Sequence, residues 1–306
     1  MLRKAKKLLR FLSDRDYRFL FLSDRGRMGH LPAEEFLKRK YRVKMGRELD
    51  LENPTLYTEK LQWLKLYDHR PEYTRMVDKY AAKAYVAEKI GGEYVIPLLG
   101  VWDRAEDIDF DALPDRFVLK TTHDSGSFIV CRDKSTLDIP AARKRLKRFL
   151  GRNYYDNNRE WPYKDVPRRI IAEAYMEDSR QGELRDYKFF TFGGEPKVLY
   201  IAQGRGSGGE TAADFFDMEF NHLPFTIDHD MAPEPPEKPQ NFGLMKRLAA
   251  KLSEGTPQLR VDFYEADGKV YFGEMTFFHC SGMADFNPPQ WNRTFGDWVT
   301  LPPKRE

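Results

Sequence analysis

The stretch RVDFYEADGKVYFGEMTFF, residues 260–278, is the part of the chain around which the fold can be interpreted. It predicts two β-strands, 259–265 and 269–276, because Asp-Gly at 267–268 is a strong signal for the turn of a β-hairpin. Side chains alternate between the two faces of a strand, so each acid of the hairpin is assigned to a face by the register of pairing.

The register decides whether the two acids of this hairpin meet. A three-residue loop sets Asp262 opposite Phe272 and places Glu274 diagonally beside Asp262. A two-residue loop would send the acids to opposite faces. Two carboxylates with Arg260 beside them suit a Mg²⁺ ion that holds nucleotide phosphates, because Mg²⁺ takes one or two carboxylates and completes its octahedron with phosphate oxygens and water. A solvent-facing hairpin with scattered charges is the alternative.

Composition narrows the class of protein. The 306 residues fit two domains or one large α/β unit with additions, and 41% hydrophobic residues suffice for a sizeable core. A net charge of only +3 predicts no nucleic-acid partner. Cys131 and Cys280 lack metal-site spacing and favour a reducing compartment. No run of about 18 apolar residues and no secretory signal is found, so we expect a cytoplasmic protein.

The N-terminal segment 1–22 interleaves Lys and Arg with Leu and Phe. This pattern fits an amphipathic helix on an anionic membrane surface, as a peripheral contact. A terminal helix packed on the protein's own core is the alternative, and amphipathic patterns are ordinary for such surface helices. Segments 32–45 and 57–67 are also predicted helices. Nothing before residue 92 alternates strand with helix, so an N-terminal Rossmann-like domain is not expected.

The middle of the chain predicts a polar loop between two strands. Asp78 and Lys79 open a predicted helix that ends at Gly91, and a buried strand follows at 94–101. Strands 116–120 and 128–131 flank the loop TTHDSGS, with Lys120 at its base. Backbone N–H groups of such a loop can cover phosphates, although polar hairpin loops without a ligand are common.

Further charged positions lie in later predicted strands. Glu173 interrupts the apolar strand 169–175, and a buried acid needs a cationic partner such as a ligand amine or a lysine. Strand 186–192 places Asp186 and Lys188 on one face. The Gly-rich segment 204–209, which contains Arg205, is either a linker or a lid ordered by substrate.

Taken in order, these parts resemble an ATP-grasp enzyme, and the closing hairpin resembles that of the D-alanine–D-alanine ligases. Over residues 50–300 the chain is more specifically similar to the TupA-like ATP-grasp family, associated with teichuronopeptide and other bacterial cell-surface polysaccharides. The segments that carry this similarity are EKLQWLKLYD, DKYAAKAYVAEKIG, YVIPLLGVWD, LPDRFVLKTTHDSGS, IIAEAYMED, RDYKFFTFGGEPK and RVDFYEADGKVYFGEMTFF.

The resemblance implies an α+β ATP-grasp fold in which two α+β lobes grip ATP, with a helical N-terminal extension. The implied division is a helical region 1–92, a small lobe with the hinge at 93–176, and a large lobe with the Mg²⁺-binding hairpin at 177–306. It implies ATP and Mg²⁺ as cofactors and a small-molecule amine and a glycan or glycan-precursor carboxylate as partners.

The resemblance also implies roles for particular residues. ATP would be bound by Lys79, Lys120, Ser125, Gly126, Ser127, Glu173, Ala174, Tyr175, Met176, Asp186 and Lys188. Asp262 and Glu274 would hold Mg²⁺, and Arg260, Lys120 and Lys188 would be catalytic. Arg205, His279, Ser281 and Gly282 would lie on the substrate side. Thr276 stands where the ligases have Asn as a third metal ligand, which puts that ligand in doubt.

The expected function is a ligase that joins an amine, such as an amino acid, to a carboxylate on a surface-glycan precursor through an acyl phosphate. A glycan or sugar kinase on the same fold is one alternative. A glycosyltransferase is another, because Asp-x-Asp triplets occur at 107–109, 109–111 and 228–230. A non-catalytic binding subunit is the third.

Overall fold

The computed structural model describes residues 2–179, 184–204 and 211–305. The helices within these ranges are α1 (Leu2–Ser13), α2 (Arg15–Ser23), α3 (Ala33–Met45), α4 (Tyr57–Tyr67), α5 (Pro71–Val77), α6 (Ala81–Ile90), α7 (Ile139–Leu150), α8 (Tyr155–Asn158), α9 (Phe242–Ser253) and α10 (Gln290–Trp298). The strands are β1 (Leu98–Trp102), β2 (Phe117–Thr121), β3 (Phe128–Cys131), β4 (Ile170–Ala174), β5 (Asp186–Phe192), β6 (Glu195–Gln203), β7 (Ala212–Phe216), β8 (His222–Leu223), β9 (Thr226–Ile227), β10 (Gln258–Ala266), β11 (Lys269–Thr276) and β12 (Phe286–Asn287).

Two antiparallel sheets form the framework. The smaller has four strands in the order β1-β4-β2-β3, and the larger has six in the order β11-β10-β5-β6-β7-β8. A short ladder joins β9 to β12. The smaller sheet comes entirely from residues 98–174 and the larger from residues 186–276, so the chain completes one sheet before it begins the next.

The predicted helices 32–45 and 57–67 are confirmed as α3 and α4. Helix α3 carries Glu34 and Glu35 in its first turn and Arg42 and Lys44 in its last, which complements the helix dipole at both ends. Gly46 ends it in the left-handed conformation with φ 66°, where a residue without Cβ is unstrained.

The hydrophobic core has two parts. The larger joins the N-terminal helices to the six-stranded sheet, as shown by Phe295 of α10, whose ring centroid lies 5.4 Å from that of Tyr57 in α4 and 5.6 Å from that of Phe192 in β5. The smaller core lies between the four-stranded sheet and α7, around Leu119 and Leu146. Because each sheet is packed on its own core, a cleft remains between them.

The hairpin differs from the predicted one in two ways that compensate for each other. Ala266 pairs with Lys269, so the turn has two residues rather than three. A β-bulge then adds Gly273 as an extra residue on β11, which shifts the register by one. Asp262 consequently pairs directly with Glu274, and both acids share a face. Asp262 and Glu274 therefore lie together as predicted, but the cause is the bulge and not the length of the loop.

Two other local predictions are wrong. Helix α6 begins at Ala81, and Asp78 and Lys79 lie in the turn before it, where the Asp78 carboxylate accepts a hydrogen bond from the Tyr80 amide at 2.9 Å. Strand β1 begins only at Leu98, and its side chains are largely exposed rather than buried, because β1 is an edge strand of the smaller sheet.

Among the helices described between residues 2 and 305, none is long and apolar enough to cross a membrane.

Candidate active site

A cavity of about 430 Å³ lies in the cleft between the two sheets. The smaller sheet contributes Lys120 and Glu173, and the larger contributes Lys188, Asp262 and Glu274. Positions that are far apart in sequence are thus brought to one place. The residues predicted at nucleotide and metal sites that line this cavity are Lys79, Lys120, Ser125, Gly126, Ser127, Glu173, Asp186, Lys188, Arg260, Asp262 and Glu274.

Asp262 is the most buried acid of the cavity, with 0% of its surface exposed. Arg260 donates from Nε to Oδ1 and from Nη2 to Oδ2 of this carboxylate, both at 2.7 Å. The Nζ atom of Lys188 lies 2.5 Å from Oδ2 and 3.2 Å from the Asp186 carboxylate. Burial opposes ionisation of Asp262, but the charges of Arg260 and Lys188 outweigh burial and lower its pKa. The acid is therefore held in its charged form.

Glu274 and Thr276 extend this cluster along β11. Arg260 Nη2 donates to Glu274 Oε1 and to the Thr276 hydroxyl oxygen, each at 3.0 Å. Thr276 donates in turn to Glu274 at 3.4 Å. Thr276 thus aligns Arg260 with Glu274 through its hydroxyl.

The donor set fits Mg²⁺ bound together with phosphate. Asp262 and Glu274 face each other across the bulge, and the Glu274 side chain is 41% exposed towards the cavity. Two carboxylates are what Mg²⁺ takes from a protein when phosphates and water supply its other ligands. Within the described ranges no group of three or more His, Cys, Asp or Glu side chains converges, so the protein alone does not form a complete cage.

Glu173 on β4 sits between Lys83 of helix α6 and Lys120 of strand β2. Its Oε1 lies 2.5 Å from Lys83 Nζ, and its Oε2 lies 2.5 Å from Lys120 Nζ. Lys83 also donates to the Ile96 carbonyl at 2.8 Å. Burial raises the pKa of Glu173, but the two lysines outweigh burial and hold the pKa below its ordinary value. Sequence reasoning did not include Lys83 among the site residues. Residues four apart on a helix are neighbours, so the position of Lys83 four residues after Lys79 in a predicted helix could have indicated it.

The polar loop after β2 is organised by a buried acid, Asp124. Its carboxylate accepts from the Thr121 hydroxyl at 2.6 Å and from the Ser127 hydroxyl, and its carbonyl accepts from Lys79 Nζ. Burial lowers the pKa of Lys79, although nearby acids oppose this. Gly126 at the tip has φ 77°, a conformation that glycine adopts without strain. The loop is thereby pre-formed at the cavity with Ser125 and Ser127 on its rim.

The residues expected at the hinge, 174–176, lie at the end of strand β4. Ala174, Tyr175 and Met176 follow the Glu173 position, and in the described part of the chain they do not line the cavity. The Ala174 amide already donates to the Pro97 carbonyl at 3.0 Å. Nearby, Phe128 on β3 is exposed and lines the cavity, which offers an apolar surface to a base.

The substrate-side residues lie on the loop that leaves the hairpin. His279 Nδ1 is 2.7 Å from Arg260 Nη1, so this nitrogen accepts from a guanidinium. Ser281 donates to the buried carboxylate of Glu160. Gly282, with φ 62°, packs against α4 so closely that a Cβ would come within 2.7 Å of the Leu61 Cβ. Arg205 lies outside the described residues.

The family model described as TupA-like ATPgrasp matches residues 59–300, which is most of the chain. No curated protein matches. Among solved structures, D-alanine–D-alanine ligase from Bacillus anthracis complexed with ATP is 15% identical, with a TM-score of 0.41, and the match covers 66% of this chain and 55% of that one. The chain therefore spans little more than half of that ligase.

Two further structures are similar at the same level. A RimK domain ATP-grasp protein from Sphaerobacter thermophilus is 12% identical, with a TM-score of 0.43 and coverage of 76% of this chain and 70% of that one. Phosphoribosylamine–glycine ligase from Thermotoga maritima is 13% identical, with a TM-score of 0.43 and coverage of 67% and 48%.

Proposed function

Because the chain belongs to the TupA-like ATP-grasp family, we propose that it is an ATP- and Mg²⁺-dependent carboxylate–amine ligase. Its acceptor would be a carboxylate on a cell-surface polysaccharide precursor, and its amine would be an amino acid or a similar small molecule. The observation that carries this proposal is the cavity in which Lys79, Lys120 and Lys188 meet the hairpin acids Asp262 and Glu274.

The positive groups suit the triphosphate of ATP. Lys120 enters from the smaller sheet, Lys188 from the larger, and Lys79 from the turn before α6, so cations approach from both sides of the cleft. Ser125, Gly126 and Ser127 on the pre-formed loop would cover the phosphates with backbone N–H groups. In that arrangement Asp186 would hold the ribose, and Phe128 would offer the adenine an apolar surface.

Asp262 and Glu274 would hold Mg²⁺, which when bound neutralises phosphate charge and orients the γ-phosphoryl group. Arg260 would then stabilise the charge on the group in transfer, since its guanidinium is fixed by Asp262, Glu274 and Thr276.

The proposed reaction has two steps. An oxygen of the substrate carboxylate attacks the γ-phosphorus, the bond to the β-phosphate oxygen breaks, and ADP leaves an acyl phosphate. The neutral amine nitrogen then attacks the acyl carbon, inorganic phosphate leaves, and the nitrogen loses a proton to give the amide. The protein's share is to position both substrates and to exclude water, which accounts for much of the rate in such reactions.

The experiment that tests this is mass spectrometry of products formed with ATP, Mg²⁺, a panel of amino acids and a panel of uronic-acid glycans. A new amide together with ADP and phosphate supports the ligase. A phosphorylated glycan would show a kinase instead, and nucleotide binding without turnover under every acceptor would favour a binding subunit.

The glycosyltransferase alternative receives little support from the positions of the acidic triplets. Asp107, Asp109 and Asp111 are exposed and line neither the active-site cavity nor a second cavity, of about 370 Å³, that adjoins it. Asp228 lines both cavities, but its neighbour in the triplet, Asp230, lines neither of them.

For location, we propose a cytoplasmic protein whose helix α1 contacts an anionic membrane surface. Residues 2–13 include five basic residues and no acidic one, and Leu9 and Leu12 are 65% and 64% exposed. The full chain should therefore sediment with vesicles of phosphatidylcholine and phosphatidylserine at low salt, and the double variant Leu9→Ser, Leu12→Ser should not. Equal sedimentation of both proteins, or equal binding to pure phosphatidylcholine, would refute the membrane contact.

A further inference from the structure

A second cavity, of about 370 Å³, adjoins the first. The two cavities share Arg260 and Glu274, and they also share Ser125, Tyr163, Asp228 and Cys280. They therefore meet at the point where the transferred phosphoryl group would lie. A molecule in the second cavity can reach the acyl carbon without entering the nucleotide space.

The N-terminal helices build one wall of this second cavity. Asp24, after α2, and Lys44, on α3, line it beside Asn158 of α8. Buried Lys40 ties these parts together, since its Nζ donates at 2.8 Å to the Asp24 carboxylate, to the Asn157 carbonyl and to the Asn158 side-chain oxygen. The N-terminal helices thus belong to the site and are not a separate appendage.

The buried acid of this cavity is Glu160, which is only 3% exposed. Its Oε1 accepts a hydrogen bond from the Ser281 hydroxyl. Within residues 2–179, 184–204 and 211–305, no donor bonds to Oε2, while the side chain lines the cavity. Lys65 is close enough to favour the charged form, but its Nζ donates to the Ser281 carbonyl at 2.8 Å and to Gln62 Oε1 at 3.0 Å.

We propose that the second cavity binds the amine substrate as an amino acid, and that the Glu160 carboxylate receives its ammonium group. This rests on the proposed ligase function. Among the described lining residues, Arg260 pairs with Glu274 and Asp24 pairs with Lys40. This leaves Glu160 and Asp228 against Lys44, so the remaining charge favours a cationic ligand. Lys44, exposed at α3, supplies the one remaining positive charge among the described lining residues, which suits the carboxylate of an amino acid.

Burial supports the same assignment. It raises the pKa of Glu160, although Lys65 and the Ser281 hydrogen bond oppose the rise. A buried carboxylate that accepts one hydrogen bond gains most from a ligand that brings both charge and donors. An ammonium group does so with three N–H bonds.

The test is calorimetry of the full chain in the presence of Mg²⁺ and a non-hydrolysable ATP analogue. The probes are L-alanine, L-glutamate and L-lysine, with propionate and glutarate as matched acids that lack the amine. Glu160→Gln keeps the shape and the acceptor for Ser281 but removes the charge. It should weaken binding of the amino acid by roughly 10- to 100-fold and leave the Kd of the ATP analogue within about twofold.

The matched control is Glu72→Gln, an exposed glutamate on α5 outside both cavities in the described chain, which should bind amino acid as the wild type does. Glu160→Asp, which restores the charge, should recover part of the affinity. Unchanged amino-acid affinity in Glu160→Gln would overturn the proposal, as would propionate binding as tightly as alanine or no binding of any of the three amino acids. An equal loss for the ATP analogue would show that Glu160 only positions the loop.

These outcomes separate the inference from the proposed function. If amino acids bind in a Glu160-dependent way but the products contain a phosphorylated glycan, the ligase proposal fails and the amine site stands. If an amide forms and its yield and the KM for the amine are the same in Glu160→Gln, the ligase stands and the placement of the amine at Glu160 fails.

Discussion

Replacement of Lys83 with Met should reveal how much the ion-pair triad of Lys83, Glu173 and Lys120 stabilises the fold. Glu173 is 6% exposed and shares its charge between Lys83 and Lys120, at 2.5 Å each. Methionine keeps the apolar stem of Lys83 but removes the bonds to Glu173 and to the Ile96 carbonyl. A charged hydrogen bond of this kind contributes about 1.5–3 kcal/mol, and since Glu173 keeps Lys120, we expect the free energy of unfolding at pH 7 to fall by about 2 kcal/mol.

The effect should depend on pH in a defined direction. Burial raises the pKa of Glu173, but Lys120 and Lys83 outweigh burial and hold it below its ordinary value. A carboxyl whose pKa is lowered by folding stabilises the fold above its unfolded pKa, about 4.3, and this contribution disappears as pH falls through the folded value. The difference between wild type and Lys83→Met should therefore be largest above about pH 5 and shrink in more acidic solution.

Urea denaturation followed by circular dichroism at pH 7, 5.5 and 4 measures this difference. Lys89→Met is the matched control, because Lys89 is exposed on the same helix α6 and a surface substitution changes stability by only about 0.5 kcal/mol or less. If the two variants are equally stable at pH 7, or if the loss for Lys83→Met is the same at pH 4, the triad does not stabilise the fold as reasoned.

Three further results are expected. Glu274→Gln should lower Mg²⁺-dependent ADP release by roughly two orders of magnitude and leave the circular dichroism spectrum unchanged. Near-normal turnover would show that Glu274 is not a metal ligand. Asp262 is a poorer target for substitution because its fully buried charge also supports the fold. Lys120→Ala should raise the Kd for ATP in calorimetry by roughly 10- to 100-fold. The control is Lys144→Ala, an exposed position on α7, which should leave this Kd unchanged. Equal affinities of wild type and Lys120→Ala would show that Lys120 and the polar loop after β2 do not bind ATP. Burial lowers the pKa of Lys65 to about 7, so the unfolded chain binds an extra proton between that pH and about 10.4. The wild-type free energy of unfolding should rise with pH across that window and rise less in Lys65→Met, as urea denaturation at pH 7 and 9 can show.

Much of this site could be predicted from local sequence because its parts are strand positions with fixed alternation. Asp186 and Lys188 fall on one face of β5, and Lys188 does contact Asp262 on the neighbouring strand β10. Lys120 was expected at the base of the polar loop, and β2 ends one residue beyond it. Period-2 alternation needs no knowledge of the rest of the chain, so such placements are reliable.

The hairpin register shows where local reasoning fails. Loop length alone could not reveal the bulge, because the extra residue is Gly273, which lies beyond the paired residues next to the turn. A Cβ on Gly273 would lie 3.1 Å from the Asp262 carbonyl oxygen, so glycine permits the strands to approach there. The glycine inside an otherwise alternating strand was the available signal.

Glu160 could not have been assigned from sequence for a different reason. It lies in an irregular segment between α8 and the 3₁₀ helix Trp161–Tyr163, with no periodic pattern to give it a face. Its proposed role rests on the contact with Ser281, which is 121 positions away along the chain, and on helices of the N-terminal region. Only tertiary packing can bring such residues together.

The pairing of Glu173 with two lysines also explains how a cationic site can exist without its anionic ligand. In the structure Lys120 is held by Glu173, Lys188 by Asp262, and Lys79 by the Asp124 carbonyl. Binding a triphosphate therefore exchanges one set of ion pairs for another, and the net gain is smaller than the number of cations suggests. When Lys120 turns to a phosphate, Glu173 would be left as a buried charge, which is costly unless a second cation remains. Lys83 is that cation. It pairs with Oε1 of Glu173, whereas Lys120 pairs with Oε2, and it is also bonded to the Ile96 carbonyl, so Glu173 keeps a charged partner when Lys120 moves to a phosphate.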